Sequence, residues 1–129
     1  MILDSTFLID VLRGREEVTD RVEELDASGA PAVSSVTVME LWEGIQLADA
    51  SESERRAVEN LLTDIDEFAF DRDCAMTAGR INAELVQAGT PVDTTDVMIA
   101  ATGLVYDRPV VTRNVSDFER VPDLEVVSY

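Results

Sequence analysis

Met1-Ile2-Leu3-Asp4-Ser5-Thr6-Phe7-Leu8-Ile9 opens the chain, and its reading decides the fold class. The apolar run ending at Asp4 predicts a short strand. Ser5 then caps a helix that carries Phe7, Leu8, Val11 and Leu12 and stops at Gly14. A strand that passes directly into a helix is the unit of a parallel sheet, and the alternation recurs downstream. Val18, Val22 and Leu25 predict an amphipathic helix ending near Gly29, and Ala32-Val33-Ser34 a second strand. Ser35 or Thr37 caps a helix holding Met39, Glu40, Leu41, Glu43 and Ile45. Residues 49–53 predict a turn, Val58, Leu61, Leu62 and Ile65 a further helix face, and Glu67–Phe70 a brief strand. Asp73 opens a helix with Cys74, Ala78, Ile81 and Leu85 inward, and Gly89-Thr90-Pro91 breaks it. A helix from about Asp96 to Tyr106 follows, preceded by Asp93 or Thr95 as its cap. Pro109–Thr112 is a strand, Asn114–Phe118 a loop or short helix, and Leu124–Val127 a last strand. Short apolar strands between helices predict an α/β fold, a mostly parallel sheet covered on both faces.

With 129 residues the chain suits a single domain spanning 1–129. It carries 27 Asp plus Glu against 10 basic residues, all of them Arg, for a net charge of −17. The absence of His excludes an imidazole base and a His-ligated zinc. The absence of Lys excludes a Walker A site, a Schiff base and the lysine-paired pocket of a phosphoacceptor signalling domain. Hydrophobic content of 46% rules out an acidic disordered chain. One cysteine, Cys74, allows no internal disulfide and suits a reducing compartment. No basic segment leads into an apolar run and no stretch is long enough to span a bilayer, so the expected location is cytoplasmic. Residues 1–70 hold 17 acids and 5 Arg, residues 71–129 hold 10 and 5. Charge spread so evenly favours whole-surface adaptation to a salt-rich cytoplasm, where screening is short-ranged, over a basic partner or cationic substrate.

Most of these acids decorate the surface; the informative ones break that pattern. Asp4 sits where a buried strand turns into a helix, so a cation, an Arg or backbone donors must meet its charge, unless it serves only as a helix cap. Glu40 lies in Val38-Met39-Glu40-Leu41-Trp42 among apolar neighbours, with Glu43 one turn on as its substitute. Asp96 precedes Val97-Met98-Ile99-Ala100-Ala101, and Asp93 competes with it for capping or cation contact. Asp117 follows the strand ending at Thr112, where a local cap is the plain alternative. In parallel α/β sheets ligands sit beyond the carboxyl ends of the strands, where Asp4 and Asp117 fall. Carboxylates gathered from separate elements suit a hard cation such as Mg²⁺ or Mn²⁺.

Four segments in order then resemble the PIN-domain ribonucleases, and within them the VapC-like toxins of toxin–antitoxin pairs. They are Leu3-Asp4-Ser5-Thr6-Phe7-Leu8-Ile9-Asp10, Val36-Thr37-Val38-Met39-Glu40-Leu41, Gly89-Thr90-Pro91-Val92 leading to Asp96-Val97-Met98-Ile99-Ala100-Ala101, and Val110-Val111-Thr112-Arg113-Asn114-Val115-Ser116-Asp117-Phe118. The closing Val121-Pro122-Asp123-Leu124 is similar as well. The resemblance implies a three-layer α/β/α sandwich around a five-stranded, mostly parallel sheet. It implies an acidic pocket of Asp4, Glu40, Asp96 and Asp117 holding one or two Mg²⁺ or Mn²⁺ ions. Ser5, Thr112 and Asn114 match polar positions that support the pocket, with Asp93 close by.

The activity so implied is endoribonucleolytic, with 5′-phosphate and 3′-hydroxyl products. The implied partners are an RNA substrate, a second copy in a homodimer and a VapB-like antitoxin, which alone brings operator DNA. Many relatives surround the pocket with basic residues; here only Arg is available, so Arg113, Arg13, Arg15 and Arg72 are the candidate RNA contacts. Phe7, Leu8, Val11, Leu12, Leu41 and Trp42 are expected partly in the core and partly along an antitoxin groove. Two other readings stay open: a catalytically silent PIN-like binding module, and a metal-dependent phosphatase of small substrates.

Overall fold

A computed structural model describes residues 1–14 and 30–129. The predicted helix at Val18–Leu25 and the candidate contact Arg15 lie outside the described residues. Five strands form one sheet in the order β3-β2-β1-β4-β5: β1 (Ile2–Leu3), β2 (Ala32–Ser34), β3 (Asp66–Phe68), β4 (Val110–Thr112) and β5 (Val126–Ser128). Every pairing is parallel. The three central strands are buried along their whole length, as a parallel sheet covered on both faces demands. The edge strands carry the exposed polar residues, Asp66 and Glu67 on β3 and Ser128 on β5, whereas Ser34 on β2 and Thr112 on β4 are buried.

Alternation along the strands divides the core. Ile2, Ala32 and Val110 face one side, where they meet Ala78, Ile81 and Leu85 of α4 (Arg72–Gln87), Val97, Ile99 and Ala100 of α5 (Thr94–Val105) and Phe118 of α6 (Val115–Phe118). Leu3, Val33 and Val111 face the other. There they meet Phe7 and Leu8 of α1 (Ser5–Leu12), Leu41 and Ile45 of α2 (Ser35–Leu47) and Val58 of α3 (Glu52–Thr63). The result is the expected three-layer sandwich.

The expected helix starts shift by one or two residues. Asp4, not Ser5, caps α1, its carboxylate accepting from the Ser5 N–H at 2.7 Å. Ser34 caps α2 rather than Ser35 or Thr37. Asp71 rather than Asp73 caps α4, and α5 begins at Thr94 with Asp93 as its cap. In each case the last residue of a strand or connection turns its side chain back onto the first free N–H groups, satisfying donors the helix cannot. The last strand starts at Val126, two residues later than expected, and β3 starts at Asp66. Ile65 falls in the turn beyond α3.

Candidate active site

The chain runs from β1 through β2 to β3 on one side, and the crossover from β3 to β4 carries it to the other side of β1, which opens a crevice at the carboxyl end of β1. Register makes that crevice a site. Leu3 pairs with Val111, and the Asp4 N–H donates to the Val111 carbonyl at 3.0 Å, which brings Asp4 level with Thr112. Asp4 is buried, and both oxygens of its carboxylate accept hydrogen bonds. Oδ1 accepts from the Ser5 N–H, with the Ser5 hydroxyl 3.4 Å away. Oδ2 accepts from the Thr112 hydroxyl at 2.7 Å and the Thr6 hydroxyl at 3.2 Å. Donors of this kind make a buried carboxylate tolerable and fix its direction.

The opposite wall is built around Asn114. Its side-chain amide donates to Asp117 Oδ2 at 2.8 Å and to Asp96 Oδ2 at 3.2 Å, so one neutral group holds two carboxylates side by side. The Asn114 N–H in turn donates to the Thr112 hydroxyl, which ties this wall to Asp4. Asp96 lies in the first turn of α5, where the helix dipole favours an anion. Burial nevertheless pushes its carboxyl up to about 6, helped by the charges of Asp4, Asp93 and Asp117 and opposed by the Asn114 hydrogen bond. Burial, with the charges of Asp4, Asp96, Asp93 and Glu43 added, pushes Glu40 up to about 7. Glu40 Oε1 is buried without a hydrogen-bond partner among the described residues, whereas Glu43 is exposed. The turn of α2 thus half-buries Glu40 beside Asp4 and Asp96 and leaves Glu43 exposed.

Asp93 caps α5 through Oδ1, which accepts from the N–H and hydroxyl of Thr95, and its charge reaches Glu40 and Asp96. Of the candidate arginines, Arg113 stands between Thr112 and Asn114 at the rim. Arg13 ends α1 beside a groove of about 560 Å³, which Glu40 also lines. Arg72 opens α4 past edge strand β3, two strands from β1. Leu12 and Leu41 line that groove; Phe7 and Leu8 are buried, and Trp42 is partly exposed elsewhere on α2. The expectation for the apolar set therefore divides between core and groove. Sequence reasoning missed Thr6 and Thr37, the latter buried with an unpartnered hydroxyl one turn before Glu40. It also missed Asp10, although a carboxylate three residues after Phe7 on an apolar helix was a readable signal.

Among the described residues no three acid or thiol side chains are drawn close enough to cage an ion as they stand. The donor set still suits a hard cation: four oxygen donors from separate elements, two with raised proton affinity, and one buried oxygen without a partner. Mutual repulsion opposes their closer approach, and positive charge is what would relieve it.

The PIN-domain family model matches residues 1–124. The tRNA(fMet)-specific endonuclease VapC of Salmonella typhimurium is 32% identical, covering 97% of this chain and 94% of that protein. Ribonuclease VapC19 of Mycobacterium tuberculosis is 30% identical over 96% of each. Among solved structures, DNA-bound VapBC from Salmonella typhimurium superposes with a TM-score of 0.88 at 32% identity over 98% of this chain and 96% of that one. VapBC2 from Rickettsia felis, bound to a promoter DNA fragment, reaches 0.91 at 22% identity, covering 99% and 97%, which bears on the fold alone. With the family model spanning nearly the whole chain and relatives of this similarity covering it end to end, the chain belongs to the PIN-domain family, in its VapC branch.

Proposed function

We propose that this chain is the toxin of a VapBC-type pair, an endoribonuclease that cuts RNA by divalent-cation-assisted hydrolysis and leaves 5′-phosphate and 3′-hydroxyl ends. The observation that carries the reading is the buried, unpartnered Glu40 Oε1 in a pocket shared with Asp4, Asp96 and Asp117. Those four residues would hold one or two Mg²⁺ or Mn²⁺ ions. When bound, the cation supplies positive charge that offsets the phosphate and lowers the pKa of water.

The chain's own residues do the positioning. Asp4, gripped by Ser5, Thr6 and Thr112, is the fixed wall. Asn114 keeps Asp96 and Asp117 from splaying apart. Water, rather than the RNA 2′-hydroxyl, is the nucleophile, which is why the ends carry 5′-phosphate. The net charge of −17 gives little non-specific attraction for RNA, so recognition rests on RNA shape, unstacked bases and a few arginines. One relative is named as a tRNA(fMet)-specific endonuclease, which makes tRNA the first substrate to try. An antitoxin segment laid in the groove between Leu12, Leu41 and Ile45, with a cation reaching the nearby Glu40, would compete with the metal.

Mapped cleavage of a tRNA transcript at high salt with Mn²⁺ tests the reading, with Asp4→Asn and Asp96→Asn as controls. Loss of cutting in both variants and in excess EDTA is expected. Cyclic phosphate ends, or cutting that survives EDTA, would refute it. Partner binding by a wild type that cuts no RNA under any condition would favour the silent binding module instead.

A further inference from the structure

Arg113, Asp10 and Tyr129 form a cluster that lies beside the acidic pocket and contributes no ligand to it. Asp10 is on α1 with its side chain only 4% exposed, while the Arg113 side chain it pairs with is 50% exposed. Arg113 Nη2 donates to Asp10 Oδ2. The Tyr129 hydroxyl donates to the same oxygen at 3.0 Å, with the Thr6 hydroxyl 3.4 Å away. Arg113 also lies over the Tyr129 ring, 5.7 Å from its centroid. The Phe7 ring meets that ring edge-on, at 4.8 Å and 87°. Two segments therefore meet at a guanidinium carried just past β4: α1 through Asp10, and the residue after β5 through Tyr129, whose ring Phe7 braces.

The asymmetry of burial gives the cluster a direction. A carboxylate buried to this degree needs its compensating donors, and losing one of them is costly. The pair is neutral in sum, but its negative end is inside and its positive end faces solvent. Arg113 also stands directly between the residues that grip the pocket: Thr112 holds Asp4, and Asn114 holds Asp96 and Asp117. In a chain of net charge −17, an unrestrained arginine there would be drawn onto neighbouring acids, as Arg120 is onto Asp117 at 3.6 Å. Asp10 and the Tyr129 ring remove that freedom from Arg113 while half of its side chain stays exposed. A planar guanidinium held this way is pre-organised for a phosphate.

We propose that Asp10 and Tyr129 are positioning residues that hold the Arg113 guanidinium at the rim of the acidic pocket, where it binds a phosphate of the RNA backbone next to the bond being cut. The assignment rests on the nuclease reading above and adds to it a specific phosphate contact with its support.

Steady-state cleavage of a labelled tRNA transcript with Mn²⁺, across a series of salt concentrations, tests it on the full chain. Arg113→Gln raises KM by about tenfold with a much smaller change in kcat, the size of one charge-assisted hydrogen bond. It also flattens the slope of log(kcat/KM) against log[salt] by about 0.7, the signature of one fewer neutralised phosphate on a single strand. Arg113→Lys restores the slope but not the full KM, because the charge returns without the fork. Tyr129→Phe, which removes only a hydroxyl, raises KM severalfold and leaves the slope intact; Asp10→Asn does the same where it folds. A merely structural tie would lower the melting temperature of these variants without moving KM or slope. If Arg113→Gln matches the wild type in KM and slope, this proposal falls and the nuclease reading stands. If the wild type neither binds nor cuts RNA at any salt concentration, both fall.

Discussion

Thr112 and Asp4 are 108 positions apart in sequence, and their side chains meet at 2.7 Å in the pocket. Parallel pairing of β1 with β4 creates that contact, and it gives the buried Asp4 carboxylate its shortest side-chain donor. Thr112→Val keeps the shape and removes the hydroxyl. It should cost about 1.5–3 kcal/mol of stability, the range for a hydrogen bond to a charged group. It should also slow cleavage, because Asp4 loses the donor that fixes Oδ2. Urea melts at constant salt, set beside cleavage rates, check both; unchanged stability would mean that the contact is incidental.

The central strands and most helices were legible because burial on both faces leaves uninterrupted apolar runs, as in Ile2-Leu3 and Val110-Val111. The acidic candidates were legible for the converse reason: Asp4 and Glu40 interrupt such runs. Local sequence was weaker wherever two capping residues stood side by side. Ser34 and Ser35, or Asp71 and Asp73, offer equivalent chemistry, and the choice depends on where the preceding strand or turn ends. Asp96 and Asp93 separated only in three dimensions, where Asp93 turns back onto Thr95 and Asp96 meets Asn114. The Asp10–Tyr129 contact spans 119 positions and follows from the sheet order, which no local pattern encodes.

Two raised carboxyls make the pocket sensitive to pH in a definite direction. Glu40 at about 7 and Asp96 at about 6 hold protons that the unfolded chain, with ordinary values of 4.5 and 3.8, has already released. Between these limits the folded state binds more protons, so metal-free stability falls as pH rises from about 4 towards 7. A cation that binds the carboxylates reverses the trend and expels those protons. Added Mg²⁺ should therefore raise the melting temperature more at pH 8 than at pH 5.5. Titration calorimetry near pH 6 in buffers of different ionisation heat should show proton release. Equal stabilisation at both pH values would separate the cation from these two groups.

Asn114 restrains the Asp96 value through a hydrogen bond that opposes the larger effect of burial. Asn114→Ala removes a contact that favours the ionised form, so the Asp96 carboxyl should titrate still higher than about 6. Asp96 and Asp117 would also face each other without the amide between them. Carbon-detected NMR titration of the side-chain carboxyls measures this directly. A downward shift would mean that Asn114 is not the group restraining the pair.

Gly103 reports on the packing that places α5, and with it Asp96, under the sheet. A Cβ there would lie 2.9 Å from the Arg108 carbonyl oxygen and 3.1 Å from Val110 Cγ2. The first of these is backbone and has little room to give. Gly103→Ala should therefore destabilise the fold, by about 1–3 kcal/mol of overpacking, despite the helix propensity gained. Gly79 on α4 is exposed, and a methyl added there would meet nothing within 4 Å. Gly79→Ala should stabilise by about 0.5–1 kcal/mol. Opposite signs for the same chemical change would locate the effect in the α5 contact.

Glu40 and Glu43, one turn apart on α2, give the sharpest contrast available within a single helix. Glu40 is half-buried among like charges with one oxygen unpartnered, and Glu43 is exposed. Glu40→Gln removes a repulsive charge from beside Asp4 and Asp96, so the metal-free protein should become more stable at pH 8. It also removes a proposed cation donor, so cleavage should fall by about 100-fold or more, given that groups one layer further out typically cost about 10–100-fold. Glu43→Gln should change both quantities little. Stability gained as activity is lost marks a residue kept for function at the expense of the fold. Melting curves without metal, run beside Mn²⁺-dependent cleavage, would reveal that opposition. A Glu40→Gln variant that loses stability and activity together would instead assign Glu40 to the structure of α2.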